Sequence, residues 1–146
     1  MRVTMMLADA AQAVEGKLYI LGGGWSQTPP ELGPSAIALH FAVPWDQTNV
    51  QHRFDLELLD SDGGKVTVED EEGVQHPLLF SGEFEVGRPP GVKPGVSIDV
   101  PMAINLGPMS LPAGNRFVWR LTVDGKSDED WRLPFSTESR PQGTAA

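Results

Sequence analysis

The sequence predicts an all-β chain, folded as a two-sheet antiparallel β-sandwich of Ig-like or jelly-roll-like type with about eight to ten strands. Two observations carry that reading. Apolar residues recur at every second position in short runs, the period of a strand with one dry face and one wet face. The 16 glycines and 13 prolines are spread along the chain, so helical periodicity is broken wherever it starts.

Residues 2–8 form the first expected strand, with Val3, Met5 and Leu7 on one side and Thr4 and Met6 on the other. A turn over 12–16 and a strand over 17–22 complete an expected opening hairpin. The alanine-rich patch at 9–13 has room for one helical turn at most. Gly22, Gly23, Gly24 and Trp25 open a long loop through TPPELGP. The third strand, 35–43, sets Ile37, Leu39, Phe41 and Val43 on one face and Ala36, Ala38, His40 and Ala42 on the other. Side chains that small imply close coverage by another element.

The fourth strand, 52–60, turns Phe54, Leu56 and Leu58 inward and Asp55 and Glu57 outward. SDGG then makes a hairpin turn, and 65–69 returns. Short strands at 78–80 and 83–86 lie near an edge, and GRPPGVKPG is too rich in Pro and Gly for a ladder. Residues 96–106 alternate through Ile98, Val100, Met102, Ile104 and Leu106. Pro101 on the opposite side marks a bulge or an edge strand. The run 115–124 points Phe117, Trp119, Leu121 and Val123 inward, and Trp131, Leu133 and Phe135 form the last strand.

At 146 residues the chain suits one domain, expected over 1–136, with a flexible tail over 137–146. There is no Cys, which excludes disulfides and thiolate metal sites and suits a reducing compartment. Met5, Met6, Leu7 and Ala8 run straight into Asp9, too short for a secretory signal, and no stretch approaches a membrane span. The expectation is a cytoplasmic chain. The net charge of −9 and pI of about 4.6 disfavour phosphate backbones and anionic lipid, so neither nucleic acid nor membrane is expected as a partner. The charge is concentrated: residues 55–72 hold eight acids against Lys65 alone.

No motif with assigned chemistry emerges. The glycine run before Trp25 lacks the Lys-Ser/Thr and following helix of a phosphate cradle, so it reads as a sharp bend that leaves room for the indole. His40, His52 and His76 are 12 and 24 residues apart, unlike the close-set ligands of zinc sites. Asp60, Asp62 and residues 69–72 offer oxygen ligands for calcium but lack the rest of an EF-hand loop. There is no nucleophile elbow, and no pair of the 20 acids is singled out for glycoside chemistry. Catalytic, cofactor-binding and metal-binding residues are therefore all expected to be none.

Taken together, LADAAQAVEGKLYILGGGW, VPWDQTNVQHRFDLELLDSDG, GEFEVGRPPGVKPG and LPAGNRFVWRLTVDG resemble an uncharacterised bacterial family, common in actinobacteria, of unknown function. The resemblance runs from Met1 to about Phe135. It implies a bacterial, stand-alone β-domain and transfers no functional residue; the acidic EDEEG loop departs from the pattern. The expected role is a non-enzymatic protein-interaction or structural module, able to self-associate through exposed β-edges. Its expected interface is Trp25, Trp45, Arg88, Pro89 and Pro90, because loop tryptophans anchor partners and proline preorganises a loop. The alternative is a small-ligand module for a carbohydrate, stacked on Trp25 and Trp45, or for calcium. A hydrolase with carboxylates converging from separate strands ranks third.

Overall fold

A computed structural model describes residues 1–139, and their regular structure is almost entirely strand. In chain order these are β1 (Arg2–Ala8), β2 (Ala10–Val14), β3 (Lys17–Leu21), β4 (Gln27–Thr28), β5 (Glu31–Leu32), β6 (Ser35–Val43), β7 (Gln51–Asp60), β8 (Thr67–Glu69), β9 (Gln75–Pro77), β10 (Leu79–Glu85), β11 (Ile98–Leu106), β12 (Met109–Ser110), β13 (Arg116–Val123) and β14 (Lys126–Thr137). A single 3₁₀ turn, Trp45–Gln47, joins β6 to β7. Among the described residues no helix is long and apolar enough to cross a membrane.

Two sheets make the sandwich. One has the order β1-β6-β11, the other β10-β7-β13-β14-β4. The alternating rows meet between them: Ile37, Leu39, Phe41 and Val43 from β6 are fully buried, facing Phe54, Leu56 and Leu58 from β7 and Phe117, Trp119, Leu121 and Val123 from β13. The row on β11 is drier at its ends than in its middle. Ile98 and Leu106 are buried, whereas Val100, Met102 and Ile104 are half-buried, because β11 is an edge strand with no neighbour on its far side. Pro101 therefore costs no ladder bond there.

The opening hairpin differs from the expected one. β1 pairs with β6 in the sandwich, since Val3 and Leu7 belong to its interior. The hairpin is instead β2 with β3, so the stretch read as a turn and a helical patch is a strand. Glu15 and Gly16 close it with φ of 50° and 75°, the two positive values that match the twist of paired strands. This hairpin lies on the outer face of the three-stranded sheet. Ala11 packs on Ala36 and Ala38, with Leu18 and Ala103 beside them, and supplies the close coverage that the small face of β6 requires.

Two further departures have local causes. After the Asp60–Gly64 turn, Lys65 bridges Leu59 and the Val66 N–H donates to the Leu58 carbonyl, but the chain then leaves β7. β8 pairs with β9 across a turn closed by Asp70, whose carboxylate accepts the N–H groups of Glu72 and Val74. β10 takes the edge place beside β7, merging the two short strands expected at 78–86. At the C-terminal end β14 runs to Thr137, which is buried and donates its hydroxyl to the Pro112 carbonyl. Thr137 thus belongs to the sheet rather than to the expected tail, and residues 140–146 of that tail lie outside the described residues.

The tight stacking of hairpin on sheet leaves no space at Ala38. Ala38→Leu is expected to lower stability by about 1–3 kcal/mol in urea unfolding, as overpacking does. Ala42→Leu, at the half-exposed end of the same row, is expected to change it by about 0.5 kcal/mol or less.

Candidate functional site

The loops at the β7 end of the sandwich form a pinned corner. Trp45 lies in the 3₁₀ turn, and Arg88 opens the 87–95 loop. The guanidinium stacks 3.9 Å above the Trp45 ring, a cation–π contact, while Nη2–H donates to the Trp45 carbonyl and Nε–H to Thr48 Oγ1. The Asn49 N–H donates to the Val86 carbonyl alongside. Arg88 thus ties the two loops together and leaves Pro89 and Pro90 exposed beyond it. Trp45, Arg88, Pro89 and Pro90 share this corner.

Trp25 is elsewhere. Its ring meets Phe135 edge-on and packs against the core, near the Phe117 end of β13, whereas the Trp45 corner adjoins the Val123 end. The Trp25 Nε1 and Ser35 Oγ are buried without a hydrogen-bond partner, and both residues line a recess of about 420 Å³ with Asp9. The glycine run is the bend that the sequence implied. Gly24 N–H donates to the Leu7 carbonyl and Asp9 N–H to the Leu21 carbonyl, stitching the hairpin to the end of β1. A Cβ on Gly22 would come within 2.2 Å of the Asp9 carboxylate, at a φ of 62°.

The three histidines do not converge. Each faces a different acid: His40 with Asp99, His52 with Asp124, His76 with Asp70. Among the described residues no three His, Asp or Glu side chains are placed to hold a metal ion. Asp60 and Asp70, the centre of the calcium alternative, spend their carboxylates on turn N–H groups.

His52 is a structural site that the sequence reading missed. It shares the inward parity of Phe54, Leu56 and Leu58, and that parity was the available signal. Nδ1–H donates to Asp124 Oδ2 at 2.6 Å and Nε2–H to the Gln47 carbonyl at 2.8 Å. Acceptors on both ring nitrogens favour the imidazolium form, in which both N–H groups donate. Burial pulls its pKa down, but the bonds to Asp124 and Gln47 outweigh that and raise it above 6.5. At Asp124 burial pushes upward, yet the bonds from His52 and the Arg53 N–H hold the carboxyl below its usual 3.8.

The most unusual surface belongs to the β2–β3 hairpin. One face of it presses on the alanines. The other carries Ala10, Gln12 and Val14 on β2 opposite Leu21, Tyr19 and Lys17 on β3. Leu21 is 72 % exposed, Tyr19 57 % and Val14 44 %, with Lys17 the single charge in those paired positions. Met6 and Ile20 border the face, meeting at Gly23, where a Cβ would lie 2.8 Å from each. The sequence reading placed no partner surface here, because residues 9–16 were not read as a strand.

Fold and surface together define a β-sandwich domain with an outer hairpin that is apolar on both faces. The chain belongs to the family of unknown function DUF6941, whose model matches residues 3–136. No curated protein and no solved structure matches the chain.

The His52–Asp124 pair makes stability depend on pH in a defined direction. With the His52 pKa raised on folding, its contribution is whole below 6.5 and is lost as pH climbs through the folded value. Asp124, lowered on folding, contributes above 3.8 and loses that as pH falls through its folded value. Urea unfolding is expected to show stability declining above 6.5, and His52→Gln is expected to flatten that limb.

Proposed function

We propose that this chain is a non-catalytic protein-interaction module that self-associates through the outer face of the β2–β3 hairpin. One observation carries the reading: Val14, Tyr19 and Leu21 stand side by side in water on a hairpin whose inner face is already buried. They make an apolar surface on the order of 300 Å², the size of the largest patch on a typical monomer, which is often a functional one. Tyrosine and leucine in a paired ribbon lose little entropy on docking, because the strands already hold them.

The charge distribution favours a second copy as the occupant. The acids of β7, Asp55 and Glu57, face outward from the five-stranded sheet, on the side of the sandwich opposite the hairpin. Two chains docked hairpin to hairpin keep those acidic faces roughly 40 to 50 Å apart, counting about 10 Å per layer, far beyond a Debye length of about 8 Å. At the hairpin itself Asp9 and Glu15 flank β2 and Lys17 lies on the outer face, so little of the net charge of −9 sits at this contact. The lack of Cys suits work in a reducing cytoplasm.

Sedimentation velocity between about 1 and about 200 µM is expected to show a concentration-dependent shift from monomer to dimer. Tyr19→Lys with Leu21→Lys is expected to abolish the shift while moving the melting temperature by about 2 °C or less, since neither side chain packs inward. A wild-type chain that sediments as a monomer across the whole range would overturn self-association.

A further inference from the structure

We propose that the cleft between β8 and the β5–β12 ribbon binds an extended peptide segment of alternating apolar and basic residues, added as a strand on the free edge of β8. This surface is separate from the hairpin face, and the inference does not rest on self-association.

The cleft holds about 830 Å³ and opens at the side of the sandwich where the edge strands β10 and β11 end. Its floor is apolar: Leu78 and Phe80 come from the β10 side, Leu106 and Met109 from the β11 side. Leu106 belongs to the buried core, and Leu78, Phe80 and Met109 pack against it while partly exposed. A volume of that size on an apolar floor suits several side chains of an incoming segment.

The wall supplies backbone. Thr67, Val68 and Glu69 all line the cleft, although consecutive side chains of a strand point to opposite faces. A strand that meets a cavity with three successive residues presents its edge. β9 contributes only Gln75, so it lies behind β8, and among the described residues β8 pairs with β9 alone. The unpaired N–H and C=O groups of β8 therefore border the open space. An extended chain laid there gains main-chain hydrogen bonds from β8 and drops alternate side chains onto the floor, the usual logic of strand addition.

Charge selects the occupant. Glu69 lines the cleft, and Asp70, Glu71 and Glu72 follow β8 directly. Among the described residues no Lys, Arg or His lines it. A segment with lysine or arginine on its outward face is attracted to this acidic stretch, and an acidic one is repelled. The EDEEG stretch thereby acquires a role as the rim of this cleft.

The test uses the full chain and a fluorescein-labelled eight-residue peptide of alternating valine and lysine, read by fluorescence anisotropy. Saturable binding is expected, and a valine–glutamate peptide is expected not to bind. Two further valine–lysine peptides carry N-methyl groups at odd or at even positions. At least one is expected to bind about tenfold more weakly, because methylation removes the hydrogen bonds of one strand edge and leaves the charge intact. Glu69→Lys is expected to weaken binding about tenfold, whereas Glu129→Lys, the same charge change outside the cleft, is expected to alter it by about twofold or less. Binding of both methylated peptides as tight as that of the unmethylated one, equal effects of the two charge reversals, or no saturation by about 1 mM would each overturn the proposal. Running the Tyr19→Lys, Leu21→Lys chain in parallel separates this outcome from that of self-association.

Discussion

Strand β6 is buried on both faces from Ser35 to Leu39, and the rest of the architecture follows from that. Its large row, Ile37 to Val43, needs the inner faces of β7 and β13 to cover it. Its small row needs a thin, closely fitted layer, and the β2–β3 hairpin is that layer. Alanine on both sides of the second contact lets backbone approach backbone, which larger side chains would prevent. The molecule is thus a two-sheet sandwich with a partial third layer. The face that this third layer turns outward is the chain's most exposed apolar surface.

Polar groups secure the ends of the layers. His52 enters the interior on the same parity as Phe54, and its burial is tolerable because both ring nitrogens meet acceptors. Those acceptors come from two other places in the chain, the turn after β13 and the 3₁₀ turn before β7, so the pair joins three segments. Arg88 does similar work next door through its stack on Trp45 and its two hydrogen bonds. Side chains that look reactive in a sequence, three histidines and a crowd of acids, are here largely occupied with turns and loop anchorage.

The two surfaces with spare capacity differ in kind. The hairpin face is apolar, nearly uncharged and formed by side chains already ordered in strands, which favours docking of a like surface. The cleft combines an apolar floor, a free strand edge and an acidic rim, which favours an extended, basic guest. Both lie away from the Trp45 corner, whose exposed prolines remain a rigid but small projection.

Period-two burial was legible from the residues alone: the rows at 37–43, 54–58 and 117–123, the bulge or edge position implied by Pro101, and the need for cover over Ala36 and Ala38. The buried role of His52 was also written in its parity. What covers the alanines was not legible, because Ala10, Gln12 and Ala13 have weak strand preference and become a strand only through pairing with β3 and stacking on β6. Pairing partners were hidden for a related reason. Alternation states that β1 has a dry side, but whether it joins 17–21 or β6 depends on contacts between residues far apart in sequence. The same holds for Trp25 and Trp45, which look alike as loop tryptophans. Only the packed sheets decide that one wedges against Phe135 and the other supports Arg88 at the opposite end.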